Sequence, residues 1–443
     1  MAQELRVLTD GFGEKDLRSI DGYIENGGGY TALRKALAAG DAGPAEVLAE
    51  VDASGLRGRG GAGFATGKKA SFIPKGEQTK FLTCNADESE PGTFKDRQLI
   101  QYAPHRLVEG CILASLAIDA SFAFIYIRGE YELQADILEQ AVREAYERGF
   151  LGENILGSRF SLELVVHRGA GAYICGEESA LLDSLEGKRG NPRLKPPFPA
   201  IKGLYQGPTL INNVETLSNV PLIIARGADW WRSMGTERSP GPKVVSVSGN
   251  VQRPGNYEVE LGIPVREVVY DLAGGLFDGR RVKFWHPGGS SSPVLLEEHL
   301  DLSFDYESMA QAGSMLGTAS MIIADDTVQV LPYAKRLAHF YRHESCGKCV
   351  PCREGTNWTE KMLERIEQGL ATPMDLDIIG EVQDNIEGNC LCVLGDSMDM
   401  PVRSLLKHFR SEFAEAMEAG RFSADELASE HAGLGSVDVR VTL

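Results

Sequence analysis

Residues 161–187 read SLELVVHRGAGAYICGEESALLDSLEG. The first seven alternate apolar and polar side chains, the pattern of a strand with one solvated face. Gly169 and Gly171 then break the chain, and AYICGEESALLDSLEG carries apolar residues at helical spacing. Strand, glycine turn and helix N-terminus together form an anion or cofactor site, because unpaired N–H groups and the helix dipole face the turn. Tyr173, Gly176, Glu177 and Glu178 fall in the first turns of this helix. The two acids suit a helix start for dipole reasons, and they equally suit a ribose or a nicotinamide amide.

The same alternation runs outward on the N-terminal side. Lys80–Asn85 (KFLTCN) and Phe122–Ile127 (FAFIYI) read as strands, and Leu133–Ala145 as a helix between strands. This predicts an α/β layered domain with a largely parallel sheet, preceded by a helical N-terminal segment and ending near residue 240. A polar Pro/Gly linker, TERSPGPK (236–243), separates it from an α+β module of about 80 residues. From about Thr327 the pattern becomes that of a helical bundle. The expected domains are thus 1–240, 241–326 and 327–443.

Bulk numbers agree with a multidomain globular chain. It has 443 residues, with 43% hydrophobic and 24% charged content. A net charge of −18 argues against a nucleic-acid partner, because neutralising phosphates needs a basic surface. The opening MAQELRVLTDGFGEKD lacks the layout of a signal peptide. The most apolar stretch, Leu107 to Ile127, carries Glu109 and Asp119 and suits a buried helix and strand better than a membrane span. A cytoplasmic protein without direct membrane insertion is expected.

Three further stretches carry chemistry. GLRGRGGAGFATGKK (55–69) contains G-x-G-x-x-G at Gly58, Gly60 and Gly63, but a helical segment precedes it where a dinucleotide fingerprint needs a strand. A mobile turn is one reading. Close backbone approach to a pyrophosphate or flat ring is the other, helped by Phe64 for stacking and Lys68 and Lys69 for phosphate. CNADESEPGTFKDR (84–97) places Asp87, Glu88 and Glu90 at the end of a predicted parallel strand, where open α/β sheets bind ligands. Helix capping is the alternative. In PRLKPPFPAIKGLYQGPTLINNVETL (192–217), Lys195, Tyr205, Asn212 and Asn213 offer a cation, a ring and two amides. On its residues alone this is a surface loop with an Asn-rich turn.

Near the C-terminus, ESCGKCVPCREG (344–355) sets Cys346, Cys349 and Cys352 at C-x₂-C-x₂-C, with Cys390 and Cys392 downstream. Structural zinc usually takes two C-x₂-C pairs. A compact triplet with a remote fourth thiol suits a [4Fe–4S] cubane.

Together these motifs, in this order, resemble the family of NADH-binding flavoproteins (F or 51K type) of respiratory complex I, NADH:quinone oxidoreductase. The resemblance spans nearly the whole chain. Subunits of NAD-dependent formate dehydrogenases and NAD-linked hydrogenases share the core and are the alternative. They often carry an extra ferredoxin-like segment, for which no spare cysteines are present.

The resemblance implies a Rossmann-like FMN- and NADH-binding domain, a β-grasp-like middle domain and a helical domain holding one [4Fe–4S] cluster. It implies hydride transfer from NADH to FMN, then single electrons through the cluster toward quinone. No side chain is expected to act as a catalytic group. The FMN contacts implied are Gly58, Arg59, Gly60, Gly61, Gly63, Lys69, Asn85, Asp87, Asn212, Asn213 and Thr216. The NADH side is lined by Phe64, Phe72, Glu88, Tyr173, Glu177, Glu178, Lys195 and Tyr205, with Glu88 and Glu177 positioning the nucleotide, and Glu90 and Gly176 are further cofactor contacts. The cluster ligands implied are Cys346, Cys349, Cys352 and Cys392, the last because it directly precedes VLGD. Expected partners are a thioredoxin-fold [2Fe–2S] (24K-type) subunit and a large iron–sulfur (75K-type) subunit, on the cytoplasmic side of a bacterial membrane.

Overall fold

In a computed structural model, which describes residues 3–432, the chain divides into two compact units, Met1–Asp326 and Thr327–Leu443. The first holds two sheets. Strands β1 (Phe81–Ala86), β2 (Phe122–Ile127), β3 (Glu163–Arg168) and β4 (Thr209–Asn213) form an all-parallel sheet in the order β3-β2-β1-β4. Helices Lys95–Tyr102 and Pro104–Ile118 connect β1 to β2, and Glu132–Glu147 connects β2 to β3. Both faces of β1 are covered, so Leu82, Thr83 and Cys84 are all buried.

The apolar run 107–127 is a buried helix and a strand, as its length and charges predict. The Pro104–Ile118 helix packs against helices Gly43–Ser54 and Val214–Arg226. A Cβ on Gly110 would stand 2.1 Å from the Leu217 carbonyl oxygen, so only glycine allows this approach. Glu109 stays inside that helix because its carboxylate accepts the Tyr23 hydroxyl at 2.6 Å and the Leu33 N–H at 3.0 Å.

The segment read as a surface loop, 192–217, contains β4. Its TLINN run is only five residues long and follows a proline-rich stretch, which hides it from periodicity. The segment after β3 also differs. Tyr173–Gly176 is a 3₁₀ turn, and the helix proper is Glu178–Leu185, with Glu177 as its N-cap. Glu177 accepts the N–H groups of Ser179 and Ala180, both at 2.9 Å, and so fixes the start later than the spacing suggests.

The second sheet comprises β5 (Pro242–Gly249), β6 (Gly255–Glu260), β7 (Val282–His286) and β8 (Ser320–Asp325), in the order β6-β5-β8-β7. β5 pairs antiparallel with β6 and parallel with β8, giving the mixed α+β module expected. It is tied to the helix after β4 and to the N-terminal segment by side chains. Buried Lys243 pairs with Glu215 at 2.5 Å, and Glu258 accepts the N–H groups of Val7, Leu8 and Thr9. The division at 240/241 is a proposal within one compact unit.

The second unit consists, among the described residues, of helices Val330–Glu344, Val350–Glu367, Pro373–Ile386 and Leu394–Ala432. Leu337, Tyr341, Leu363, Ile379, Met398 and Phe413 are buried between them. Buried Glu360 joins the first two helices through His339 at 2.7 Å and Arg342 at 2.8 Å. Among the described residues no helix is long and apolar enough to cross a membrane.

Candidate functional site

The chain runs β1, β2, β3 toward one edge and returns to place β4 on the other side of β1. The crevice beyond the carboxyl ends of β1 and β4 is therefore the topological switch point, where doubly wound sheets bind ligands. The register puts Cys84 beside Asn212 and Asn85 beside Asn213 at that end. Asn85 Nδ2 donates to the Gly176 carbonyl at 2.8 Å, which draws the 3₁₀ turn after β3 to the same crevice. A Cβ on Gly176 would sit 3.2 Å from the Asp87 carboxylate.

The glycine loop lies on this crevice. The missing Cβ of Gly60 would come within 2.7 Å of Asn213 Cβ, whereas at Gly61 it would meet nothing within 4 Å. Arg59 N–H donates to Thr216 Oγ1 at 2.8 Å, and Gly58 N–H to the Phe64 carbonyl at 2.8 Å. Among the described residues nothing accepts the N–H of Gly60, Gly61 or Gly63. Unclaimed donors, with open space at Gly61, are what a phosphate or a flavin edge requires, so these residues fit FMN. The Arg59 side chain turns away: it is buried, donates to the Pro240 carbonyl at 2.8 Å and lies against the Trp231 ring. Of Arg59 and Thr216, expected as FMN contacts, the side chains thus shape the loop from behind.

The three acids of the turn have separate roles. Glu88 is 5% exposed and takes the N–H groups of Asp96 and Arg97 at 2.7 and 3.0 Å and the Tyr131 hydroxyl at 3.1 Å. It caps the Lys95–Tyr102 helix, which is the capping alternative noted for this turn. Burial, and next the nearby Asp96, push its carboxyl up to about 7. Glu90 accepts the Tyr173 hydroxyl at 2.7 Å and the Ser291 N–H at 2.8 Å. Ser291 belongs to the PGGSSSP loop (287–293) of the middle module. Asp87 accepts the Ser89 hydroxyl at 3.0 Å.

A chain of charges borders the other side. Lys195 reaches Glu177 at 2.8 Å and Glu178 at 2.9 Å, and Lys69 reaches Glu178 at 3.4 Å. Burial alone would raise Glu178, but Lys69 and Lys195 hold its carboxyl below the usual range. Lys69 also donates to the Ile211 carbonyl on β4 at 2.9 Å. Phe64 and Phe72 form an exposed apolar rim, 51% and 47% accessible, whereas Tyr205 lies away from it, its ring against Phe81 at the amino end of β1 and its hydroxyl on the Leu185 carbonyl. The rings of Phe64 and Phe72 lie 6.2 Å apart. Large exposed aromatics beside a polar crevice are suited to stacking on flat rings.

Two contacts reach the crevice from the middle module. Tyr306 of the middle module donates to the Gly58 carbonyl at 2.8 Å, and its ring fills the space over Gly63, whose φ is +66°. Ser291 holds Glu90. Both pairs lie 200 or more residues apart in the chain.

In the second unit Cys346 and Cys349 lie on the loop before the Val350–Glu367 helix, while Cys352 is buried in its first turn. Cys390 and Cys392 lie on the loop before Leu394. Four of these five thus lie on loops. The neighbouring Cys390 thiol, and after it Ser345 at 3.2 Å, bring the Cys352 thiol down to about 7. Cys390 Sγ also donates to the Ile386 carbonyl at 3.6 Å, and a Cβ on Gly395 would meet it at 2.4 Å. Among the described residues no three ligand-type side chains converge to cage one ion. A cubane, which takes one thiolate per iron, needs no such convergence, and a thiol-rich donor set fits it.

Residues 51–222 match the family described as the Nuo51 FMN-binding domain, residues 244–295 the SLBB domain, and residues 332–416 the NADH-ubiquinone oxidoreductase-F iron-sulfur binding region. The F subunit of NADH-quinone oxidoreductase in Mycobacterium tuberculosis (strain H37Rv) is 56% identical over 397 residues, covering 88% of each chain. The chain belongs to the family of NADH-quinone oxidoreductase F subunits. A second member, the NADH-quinone oxidoreductase F 2 subunit of Rhizobium meliloti (strain 1021), is 53% identical and covers 91% of this chain and 98% of its own.

Among solved structures, an NAD⁺-reducing [NiFe]-hydrogenase chain in the H₂-reduced state is similar at 38% identity and a TM-score of 0.79. The match covers 90% of this chain and 69% of that one. The same type of hydrogenase in the air-oxidised state gives a TM-score of 0.77, with coverage of 86% and 66%. As a member of its family the chain is an oxidoreductase component that binds FMN and NADH and holds one [4Fe–4S] cluster.

Proposed function

We propose that the crevice at the β1/β4 switch point holds FMN against the glycine loop, with NADH entering over Phe64 and Phe72. The observation that carries this reading is the meeting of the unclaimed Gly60, Gly61 and Gly63 N–H groups with Asn85 and Asn213 at that point. When bound, FMN supplies hydride acceptance and release of single electrons, and the [4Fe–4S] cluster supplies a one-electron acceptor.

The chain's own residues bind and orient. Backbone amides of the glycine loop and the Lys69 cation face the phosphate. Asn85, Asp87, Asn212 and Asn213 offer amide and carboxylate partners to the flavin ring. Tyr173 and Glu90 hold one wall, and Glu177, Glu178 and Lys195 the other, where a carboxylate accepts ribose hydroxyls and disfavours a 2′-phosphate. Glu88 acts one layer back, by capping the helix that follows the turn. Holding two flat rings in one orientation removes much of the entropic barrier to hydride transfer. Cys346, Cys349, Cys352 and Cys392 are the proposed cluster ligands, with Cys390 packed behind Cys352.

The chain works within complex I, against a thioredoxin-fold [2Fe–2S] subunit and a large iron–sulfur subunit, peripheral on the cytoplasmic side. Its near-complete coverage of the complex I relatives supports this over a role in an NAD-linked hydrogenase. The test is NADH:ferricyanide reduction by the chain purified anaerobically with its [2Fe–2S] partner. NADH should bleach the flavin band. A preparation without flavin and without NADH-dependent bleaching contradicts the reading.

A further inference from the structure

A buried ion network lies directly behind Asn213. Lys95 Nζ stands 2.7 Å from Asp96 and 2.9 Å from Glu215, and Lys243 reaches the same Glu215 oxygen at 2.5 Å. All four side chains are buried. Buried ion pairs rarely stabilise a fold more than apolar residues of equal volume would. This network has a positional consequence instead. Asp96 Oδ2 accepts Asn213 Nδ2 at 2.6 Å, and Lys95 Nζ donates to Asn213 Oδ1 at 3.4 Å. The same Oδ1 accepts the Glu215 N–H at 3.0 Å. The amide is held in one orientation, with its second Nδ2 hydrogen left as a donor. Because Gly60 rests on Asn213 Cβ, this side chain also sets the height of the glycine loop.

We infer that Lys95 and Asp96 are positioning residues for the flavin, which fix the Asn213 amide and set one cation and one anion at defined places behind the crevice. The inference rests on the assignment of Asn213 to the FMN site. It makes an electrostatic demand that a purely structural role does not. Removing the anion favours the electron-rich, reduced cofactor, and removing the cation disfavours it.

The test compares Asp96→Asn, Lys95→Met and Asn213→Ala in the chain produced with its partner subunits. FMN dissociation is followed by flavin fluorescence and the midpoint potential by spectroelectrochemical titration. Asp96→Asn should weaken FMN binding about ten-fold, the worth of one charge-assisted hydrogen bond, and raise the flavin potential. Lys95→Met should lower the potential. If a melting curve shows that Lys95→Met does not fold, Asp96→Asn decides alone. Loss of FMN from Asn213→Ala with an unchanged potential in Asp96→Asn overturns the inference and leaves the site assignment standing. Wild-type FMN affinity in Asn213→Ala overturns both.

Discussion

Asn85 on β1 stands in register with Asn213 on β4 at the one place where the parallel sheet reverses its order. Each ties a different loop to the crevice: Asn85 binds the Gly176 carbonyl, and Asn213 supports Gly60. Segments distant in sequence thus converge on two neighbouring amides.

Gly60 and Gly61 should respond differently to the same substitution. Gly60→Ala drives a Cβ to 2.7 Å from Asn213 and must shift the loop, so both stability and FMN content should fall. Gly61→Ala meets no protein atom within 4 Å, so its FMN-free form should melt near FMN-free wild type while FMN binding is lost. Flavin absorbance and thermal melts check the pair. Full FMN occupancy in Gly61→Ala would place the cofactor elsewhere.

Glu88 should matter for stability in a pH-dependent way. Its carboxyl titrates at about 7 in the folded chain and, unfolded, at the ordinary carboxylate value. Between those two values the folded state holds a proton that the unfolded state releases. The stabilisation this provides is fully present below the ordinary carboxylate value and is lost as pH rises through about 7. Thermal unfolding of wild type and Glu88→Gln between about pH 5 and pH 8 should give curves that diverge across this window, with the wild-type slope the steeper downward one. Parallel curves contradict the assignment.

Lys195→Met should act on nucleotide binding. It leaves Glu177 and Glu178 without their common cation. The KM for NADH should rise about ten-fold with a smaller change in kcat, as expected when a uniform binding contact is removed. Steady-state NADH:ferricyanide kinetics measure this. An unchanged KM removes Lys195 from the nucleotide side.

The scaffold was readable in the sequence where physics is local. Strands β1, β2 and β3 stand out because their alternation or apolar run follows directly from burial, and the 104–118 helix because its Glu109 forbids a membrane reading. The switch point did not stand out, since β4 is five residues of TLINN beside prolines. Among Asp87, Glu88 and Glu90 the sequence shows three equivalent acids. Only the fold reveals that Glu88 faces backbone amides eight and nine residues on, and that Glu90 faces a serine loop 201 residues away. The Tyr306–Gly58 contact spans 248 residues and has no local signature.

The thiol pair on the 387–393 loop gives a direct contrast. Cys392→Ala should abolish the electron paramagnetic signal of the reduced cluster while FMN remains bound. Cys390→Ala should retain the cluster, because Cys392 is the thiol that directly precedes VLGD. The reverse pattern would make Cys390 the fourth ligand.

The central claim is that one chain carries both a flavin crevice and an iron–sulfur site. Its most direct test is the cofactor content of the purified, anaerobically prepared chain. The account predicts one FMN together with about four irons and matching acid-labile sulfide per chain, the composition of a single cubane. A single zinc without sulfide, or iron without flavin, would contradict it.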